Sequence, residues 1–327
     1  MAPSIEDVSQ LDRVRAWDRA LHAVRAYFRG QGSSEVLTPV RLPEVAIEPY
    51  IEPVRASGGL LATSPELPMK RLLCDGAPDI FQVAPVHRAA ERGRLHAEGF
   101  HLIEWYRRDV DERAVRADVE GLVDAVRQAF GMPAIDRWTC VGFLPLLEQT
   151  AGVTLRGDED ADALVRAVPA AWCVEAPETM PAAARDLYAW SAMLTAWSDA
   201  ALDPWLAAMP GGVHVLDYPA PLAALARLGP ARMGEGSCAH RFESYVGGVE
   251  LANGYHELAD PVEQRRRFEA VAALREGHGL APLPMPEAFL AALERLPACA
   301  GAALGFERLL MHAVGANALA DIALRFD

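Results

Sequence analysis

The sequence predicts an α+β fold in which helices flank a mainly antiparallel β-sheet. Three observations support this prediction. Two stretches, residues 81–107 and 241–257, each place apolar strands on either side of a polar or glycine-rich turn, the pattern of a β-hairpin. Long segments of helical periodicity separate the hairpins, whereas a parallel sheet would alternate single strands with helices. A strand of small residues runs into a helix over residues 300–311.

Composition and charge narrow the class of protein. Of the 327 residues, 51% are apolar, which is ample for a substantial core. The formal net charge of −14 argues against a broad nucleic-acid surface, because phosphate contacts need clustered Lys and Arg. A local basic pocket remains compatible with this charge.

Cysteine spacing and the apolar runs predict the compartment. The five cysteines lie far apart without a Cys-x-x-Cys pair, so reduced thiols fit better than a disulfide framework or a zinc site. Residues 1–10 are polar and acidic, unlike a signal peptide. No apolar run approaches the roughly 18 residues of a membrane span. We therefore expect a cytoplasmic protein with no membrane segment.

The first elements follow from periodicity and from proline positions. Apolar residues at steps of three and four predict an amphipathic helix over residues 11–29. The short strand that follows is broken by Pro39, which cannot donate to a ladder and marks an edge, a bend or an interface. The next helix is predicted to have Ser64 as its N-cap and Pro65 at its first position. Glu66 then lies near the positive end of the helix dipole.

The first hairpin combines charge with an aromatic face. Its first strand ends at Arg88, and its second strand spans residues 100–107. Even spacing places Phe100, Glu104 and Tyr106 on one face of the second strand. An arginine, an aromatic face and a carboxylate can hold an anion, a base and an ammonium, which suits a nucleotide plus an amino acid. A half-buried hairpin with incidental charges explains this stretch equally well.

The rest of the chain is predicted to be helical apart from the second hairpin. Residues 132–235 show mostly helical signals, with a strand at 213–216, and we interpret the four tryptophans there as packing residues. The second hairpin turns at Gly247-Gly248. The remaining predicted helices span residues 111–130, 260–277 and 285–296.

Two carboxylates on the second hairpin suggest a cation site. Glu243 and Glu250 flank the Gly-Gly turn, so their strands can bring both near one point. Such a pair suits magnesium bridging the phosphates of a nucleotide, although a surface pair is the alternative interpretation. His256-Glu257 lacks the second histidine of a His-Glu-x-x-His motif, so we reject that zinc motif.

Phosphate binding would have to depend on side chains. The sequence has no glycine-rich phosphate loop of the Walker or dinucleotide type. Arginine suits bidentate phosphate recognition. The candidates are Arg88, Arg94, His96 and Arg308.

Taken together, these segments resemble the three signature motifs of class II aminoacyl-tRNA synthetases, and within that class the lysyl branch. Residues 35–39 resemble motif 1, residues 81–107 motif 2 and residues 301–311 motif 3. Further anchors are Ser64-Pro65-Glu66, Met69-Lys70-Arg71-Leu72 and Glu250-Leu251-Ala252-Asn253-Gly254-Tyr255-His256-Glu257-Leu258. The resemblance implies a single class II catalytic domain over residues 1–327, with 132–235 as its variable part. It also implies a homodimer, with Pro39 at the interface.

Within this class, the chain resembles a free-standing family that attaches lysine or (R)-β-lysine to a lysine of elongation factor P. Only a short segment precedes motif 1, so we expect no anticodon-binding domain. Together with the negative charge, this makes a tRNA substrate unlikely. Lysyl-tRNA synthetases usually carry Gly where this chain has Ala303, whereas the elongation factor P family carries Ala. A packing role explains Ala303 equally well.

The resemblance implies ATP and Mg²⁺ as cofactors and a role for each candidate residue. Arg88 would hold the substrate carboxylate and the α-phosphate, and Phe100 and Arg308 would sandwich the adenine. The outer phosphates would contact Arg94 and His96, magnesium would bind Glu243 and Glu250, and the amino acid would lie among Glu66, Glu104, Tyr106, Asn253 and Glu257. Three carboxylates suit a substrate with two ammonium groups, because a buried cation must be paired.

Motif 2 departs from the family pattern. Ala89 and Ala90 stand where Asn-Glu usually follow the arginine, and Glu91 is the candidate to replace the missing adenine contact. The segment 47–50 also differs from the usual Asp-containing version. Three functions therefore stay open: an elongation factor P ligase, an adenylating ligase with a carrier protein or small molecule as acceptor, and a catalytically silent regulatory paralogue. The retained arginines and acids favour an active enzyme.

Overall fold

The chain is described here by a computed structural model that covers residues 9 to 324, so residues 1–8, where a signal peptide was judged absent, and residues 325–327 lie outside it. The helices are α1 Gln10–Gly30, α2 Glu66–Cys74, α3 Glu112–Ala129, α4 Phe143–Ala151, α5 Ala161–Ala167, α6 Ala182–Trp197, α7 Asp203–Ala208, α8 Pro261–Gly277, α9 Glu287–Ala292, α10 Phe306–Val314 and α11 Leu319–Ile322. The strands are β1 Ser34–Glu35, β2 Arg41–Leu42, β3 Arg55–Ala56, β4 Gly59–Leu61, β5 Ile80–His87, β6 Gly99–Arg108, β7 Trp138–Gly142, β8 Gly212–Tyr218, β9 Leu228–Pro230, β10 Ser237–Val246, β11 Val249–His256 and β12 Cys299–Gly305.

The main sheet of the described chain has nine strands. Its order is β1-β5-β6-β12-β11-β10-β8-β7, with β9 paired to β10, and a small second sheet has the order β2-β4-β3. The central pairs are antiparallel, and the two outermost pairs, β1 with β5 and β7 with β8, are parallel. The predicted α+β class with a mainly antiparallel sheet is confirmed.

Side-chain alternation along β6 assigns one face of the sheet to helices and the other to a cavity. Ile103 and Trp105 pack with residues of α1 and α3 in the largest core cluster. Phe28 of α1 stacks on Phe81 with ring centroids 4.8 Å apart. The intervening residues Glu104 and Tyr106 face the opposite side. Alternate residues of β6 therefore pack under the helices on one face of the sheet, and the residues between them line a cavity on the other face.

Two predictions near the N-terminus need correction. The strand expected over residues 35–40 ends at Glu35, because the chain then leaves the ladder and the Thr38 N–H donates to the Gln82 side chain at 3.1 Å. The helix predicted to begin at Pro65 begins at Glu66. The N-cap is therefore Pro65 and not Ser64, although the Ser64 Oγ, one residue earlier, accepts from the Glu66 N–H at 3.0 Å.

The variable segment 132–235 forms a second core. Trp190 and Trp197 are fully buried, and Trp172 and Trp205 are partly buried against the same cluster, so their packing role is confirmed. The strand predicted at 213–216 is the centre of β8. The sequence prediction missed β7 and β9. Most residues of β7 are only partly buried, so this edge strand shows no alternation of apolar and polar residues.

The second hairpin has the predicted turn. Gly247 and Gly248 have φ values of 58° and 77°. Two consecutive left-handed residues are what a tight two-residue hairpin turn requires, and glycine adopts them without steric cost. The strands on either side are β10 and β11, which form the wall of the site described below.

None of the helices in the described chain combines the length and apolar character that crossing a membrane requires.

Candidate active site

A cavity of about 260 Å³ lies on the face of the sheet opposite α1 and α3. Its walls come from the first hairpin, from β11 and β12, and from the starts of α2 and α10. Most of the sequence-predicted site residues line it: Glu66, Arg88, His96, Phe100, Glu104, Tyr106, Glu250, Asn253, Glu257, Ala303 and Arg308. The sheet register explains how residues so distant in sequence meet here.

One row of paired residues crosses four neighbouring strands. Glu104 pairs with Ala303, Ala303 with Asn253, and Asn253 with Glu243. Directly paired residues point to the same face of a sheet, and the first three members of this row form the floor of the site. The methyl group of Ala303 therefore lies between the carboxylate of Glu104 and the amide of Asn253.

Arg88 and Phe100 define one end of the cavity. The Arg88 guanidinium lies 5.1 Å from the centroid of the Phe100 ring, within cation–π range. Its Nε donates to the carbonyl of Thr63 at 3.2 Å, and its Nη1 lies 3.7 Å from Glu91. The Arg88 side chain is 22% exposed, so an anion can reach it.

Arg308 faces this end from the first turn of α10. Its Nη1 donates to the carbonyl of Glu250 at 2.9 Å, and its Nη2 lies 3.0 Å from Nε2 of His96. Burial and the neighbouring Arg308 charge lower the pKa of His96. A neutral imidazole thus accepts a hydrogen bond from the guanidinium and leaves the positive charge directed at the cavity.

The opposite end of the cavity is acidic and tightly bonded. Glu104 is 1% exposed, and its two oxygens accept hydrogen bonds from Ser64 and from Tyr106, each at 2.7 Å. Burial, followed by the nearby charge of Glu66, raises the pKa of Glu104 to about 8. A ligand that presents a positive charge would favour the ionised form.

Lys70 is a buried residue beside the acidic end to which the sequence analysis assigned no role. Its Nζ lies 2.6 Å from Glu66 and also forms an ion pair with Glu257, and the side chain is 1% exposed. Burial alone would lower the pKa of Lys70, but the charges of Glu257 and Glu66 outweigh it and raise the pKa. Burial nevertheless raises the pKa of Glu257 to about 8. The four-residue spacing of Glu66 and Lys70 was the one available signal.

Two further polar groups point to a ligand with hydrogen-bond donors. The buried Oδ1 of Asn253 has no hydrogen-bond partner among residues 9–324. Buried polar atoms are nearly always bonded, so this oxygen calls for a donor from outside. Glu48, which the sequence analysis also missed, lines the cavity, and burial raises its pKa to about 7. Its segment, 47–50, was noted only as unusual for the family.

Glu243 does not line this cavity. Its carboxylate borders a neighbouring cavity of about 440 Å³, where it accepts hydrogen bonds from Arg241 at 2.6 Å and from Tyr245. Glu250 lines both cavities. A bulge between Ser244 and Tyr245 shifts the register, so Glu250 lies opposite Tyr245 and diagonally across from Glu243.

The two glutamates fit a hydrated cation as a pair. Burial and the charge of Glu243 raise the pKa of Glu250, and a divalent cation would relieve this repulsion. The Glu250 side chain is 40% exposed and offers carboxylate oxygens, which magnesium prefers. Glu243 can contribute through water or by exchanging its present hydrogen bonds.

Arg94 also lies outside the cavity lining. Its Nη1 donates to the carbonyl of Asn317 at 2.7 Å, and the residue is exposed. The hairpin loop thus brings His96 into the cavity and keeps Arg94 at its edge. Glu91, the residue suggested as a replacement in motif 2, lines the cavity beside Arg88.

Comparison with known proteins agrees with this geometry. A family model described as tRNA synthetases class II (D, K and N) matches residues 7–324. The chain is 33% identical to a Vibrio cholerae protein over 90% of this chain and 89% of that protein. A Haemophilus ducreyi protein is 32% identical over 91% and 89%, and a Pectobacterium atrosepticum protein is 33% identical over 92% and 90%. Each of these relatives is named elongation factor P–(R)-β-lysine ligase.

Proposed function

Because the chain belongs to the class II tRNA synthetase family (D, K and N), we propose that it is an ATP-dependent ligase that activates lysine or (R)-β-lysine and transfers it to a lysine of elongation factor P. One observation supports this most strongly: a single cavity joins an arginine–aromatic end to a buried acidic end. The first end suits a nucleotide phosphate and base, and the second suits the ammonium groups of a basic amino acid. The relatives' names support the substrate and the acceptor.

In the first step, the substrate carboxylate attacks the α-phosphorus of ATP. A new oxygen–phosphorus bond forms, the bond to the β-phosphate oxygen breaks, and pyrophosphate leaves with the electron pair. Arg88 holds the attacking carboxylate and the α-phosphate, while Phe100 and Arg308 sandwich the adenine. His96, with Arg94 from the edge of the cavity, contacts the outer phosphates. Positioning and charge stabilisation supply the rate enhancement.

In the second step, the neutral amine of the acceptor lysine attacks the carbonyl of the aminoacyl-adenylate. A carbon–nitrogen bond forms, the carbon–oxygen bond to AMP breaks, and the nitrogen loses a proton. The products are an amide and AMP. Arg88 stabilises the negative charge that develops on AMP as it leaves.

The acidic end selects the amino acid. Glu66, Glu104 and Glu257 provide three carboxylates, and Lys70 compensates part of their charge. A cationic substrate would favour the ionised form of the carboxylates that Lys70 does not neutralise. The Tyr106 hydroxyl fixes Glu104, Asn253 supplies a free acceptor, and the methyl of Ala303 limits the depth of the pocket between them.

Magnesium, when bound, neutralises phosphate charge during this chemistry. Glu250 would hold it directly, with Glu243 as the second carboxylate of the pair. The protein's own contribution is to keep these two acids close enough for one cation to serve both.

We further propose one catalytic domain that functions as a homodimer without tRNA. Leu37, beside Pro39, is 84% exposed and Val40 is 38% exposed, so the motif 1 segment presents apolar side chains at the surface. Apolar residues exposed together are a common feature of association surfaces. Light scattering on the full-length protein tests the dimer, and a monomeric mass across the working concentration range rejects it.

Amino-acid-dependent exchange of labelled pyrophosphate into ATP tests the proposed activation step. We expect exchange with lysine or β-lysine and little with neutral amino acids of similar length. Adding elongation factor P should then produce a mass increase on one of its lysines. Exchange without a mass increase would favour a different acceptor, and no exchange with any amino acid would leave only a silent, regulatory protein.

A further inference from the structure

A buried group of two imidazoles and a carboxylate lies outside the cavity. Glu112 is the first residue of α3, His240 lies within β10, and His256 ends β11. The Glu112 Oε2 atom is 3.9 Å from Nδ1 of His240 and 3.6 Å from Nδ1 of His256. All three atoms lie within 4.8 Å of one another. We refer to these three residues as the His₂Glu cluster.

The atoms that face each other in the cluster have no other partners. Oε2 of Glu112 and Nδ1 of both histidines are buried without a hydrogen-bond partner among residues 9–324. The side chains of Glu112 and His240 are 4% and 7% exposed. Three converging polar atoms without partners in one buried place are rare, because each one forfeits its contact with water.

Neighbouring groups orient these atoms for a cation. Arg232 donates to the other carboxylate oxygen of Glu112, Oε1, at 3.0 Å, which leaves Oε2 free. Nε2 of His240 lies 3.1 Å from the carbonyl of Pro230, so that nitrogen carries the proton and Nδ1 presents a lone pair. A histidine that donates its second ring N–H to a backbone carbonyl is the usual arrangement at a metal site.

Two arginines flank the cluster. Arg232 is paired with Glu112 through Oε1, and Nε2 of His256 is 3.5 Å from Arg227, at the limit of a hydrogen bond. Because a guanidinium can only donate, the Arg227 contact places the His256 proton on Nδ1, on the side of Glu112, and a metal ion would displace that proton.

The backbone around the cluster fixes both rings. Arg227 inserts between the two strands, with its N–H donating to the carbonyl of His256 at 2.8 Å and its carbonyl accepting from the N–H of His240 at 2.9 Å. The His240 ring packs against Gly229, where an added Cβ would come within 2.7 Å of the ring. Glycine at position 229 is therefore required for this ring position.

We propose that Glu112, His240 and His256 form a binding site for a divalent transition metal of the Zn²⁺ type. Two imidazole nitrogens and one carboxylate oxygen are a donor set that zinc uses, with solvent in the open position. The His-Glu-x-x-His motif is absent from the sequence, but the fold supplies the second histidine from the neighbouring strand. The site is separate from the proposed magnesium pair and from the proposed ligase chemistry.

The position of the proposed site suggests that a bound metal would hold one wall of the cavity in place. His256 directly precedes Glu257, whose carboxylate faces the amino-acid end of the cavity. A metal that joins α3 to the ends of β10 and β11 would hold this part of the wall in place. We infer that the metal would position Glu257, and the readout is metal binding and thermal stability.

Zinc titration of the full-length protein after removal of metal by a chelator tests the proposal. We expect one zinc ion per chain by calorimetry, a rise in melting temperature, and a visible Co²⁺ spectrum of the intensity that low-coordinate sites give. In His240→Gln, which removes a proposed ligand, zinc binding should weaken by more than ~100-fold. This exceeds the loss expected when only a residue that hydrogen-bonds to a ligand is removed. Arg232→Gln, which removes the contacts to Glu112 and to Asp111 but no metal ligand, should weaken binding by about 10- to 100-fold.

His214→Gln is the matched control. His214 is also a buried histidine beside a glutamate, since its Nε2 lies 3.0 Å from Glu120. Among residues 9–324, however, it belongs to no group of three converging metal-ligand atoms. This variant should keep its zinc. Circular dichroism identifies any variant that fails to fold, and Glu112→Gln, which retains the bond to Arg232, then provides a second ligand test.

The remaining outcomes overturn the proposal. Absence of stoichiometric zinc binding by the folded wild-type protein would mean that a proton shared between His256 and Glu112 satisfies the cluster instead. Equal zinc loss in the His214 and His240 variants would place the metal elsewhere. Pyrophosphate exchange by the wild-type protein is measured independently of zinc binding, so the two proposals can fail separately.

Discussion

The acidic end of the cavity and its arginine end hold their charges in different ways. At the acidic end, Glu104 is 1% exposed and bonded to two side chains, and Glu66 and Glu257 share the ammonium of Lys70. At the arginine end, Arg88 and Arg308 are 22% and 20% exposed, and both donate to backbone carbonyls. One end is closed and fixed by its own side chains, and the other is open.

This difference suggests that one end of the cavity selects the amino acid and the other end binds the nucleotide and supports the reaction. A guanidinium exchanges a neutral carbonyl for a phosphate oxygen readily, because the charge-assisted bond is the stronger one. The acids of the other end bond to side chains instead of backbone carbonyls: Glu104 to Ser64 and Tyr106, and Glu66 and Glu257 to Lys70. Their positions are therefore more strongly fixed. We infer that the acidic end decides which amino acid enters and that the arginine end adapts to the nucleotide and to the reaction.

Removing the arginine should have the largest effect. Arg88→Ala takes away the group that contacts both the attacking carboxylate and the α-phosphate, so exchange should fall by ~10³-fold or more. The fold should persist, because this side chain is partly exposed. Arg92→Ala on the same loop, where the side chain is 79% exposed and paired with Glu98, is the control. Near-normal exchange in Arg88→Ala would show that the site is misplaced.

Neutralising the acidic end should change selectivity more than rate. Glu104→Gln keeps a similar shape but removes a buried charge, and the kcat/KM for lysine should drop by ~10²-fold. The KM for ATP should stay near the wild-type value, because Glu104 lies at the other end of the cavity. An equal loss for lysine and for a neutral amino acid would argue that Glu104 is structural and not selective.

The pH dependence of lysine binding should sharpen the same contrast. Burial, followed by the charge of Glu66, raises the pKa of Glu104 to about 8, so Glu104 is largely protonated in the empty site at lower pH. An ammonium group binds the ionised form, so binding expels a proton and tightens as pH rises. The KM for lysine should fall toward about pH 8, by up to ~10-fold per pH unit, and then level off. The KM for ATP is the internal control, and a KM for lysine that does not change with pH would contradict this assignment.

Glu91 should have the smallest effect. Its carboxylate is 3.7 Å from Arg88 and 27% exposed, so the pair contributes little. Glu91→Gln should raise the KM for ATP by about two- to fivefold and reduce the preference for ATP over GTP. Glu98→Gln, a more exposed acid of the same loop, is the matched control. No change in nucleotide preference would show that Glu91 does not replace the missing motif 2 residue.

The sequence predicted the parts of the molecule that depend on local pattern. Both hairpins follow from period-two alternation and from the Gly247-Gly248 turn. The shared face of Phe100, Glu104 and Tyr106 follows from the same period. These residues then needed only the sheet register to meet in one cavity.

The parts that were missed depend on contacts between distant segments. The pairing of Lys70 with Glu257 joins α2 to the residue that follows β11, and no residue spacing in the sequence predicts it. The carboxylate of Glu243 accepts hydrogen bonds from Arg241 and Tyr245. The position of Glu243 relative to the hairpin turn does not predict these contacts. The insertion of Arg227 between two strands likewise brings the His₂Glu cluster together without any motif.

Lys70 has one further consequence for the life of the free protein. An acidic chamber that lacked its own cation would depend on captured substrate to remain folded, because unpaired buried carboxylates are costly. The ammonium of Lys70 is part of the chain and already pairs with Glu66 and Glu257. The acidic end is therefore stabilised from within the chain, and we expect its geometry to be the same before and after a ligand binds.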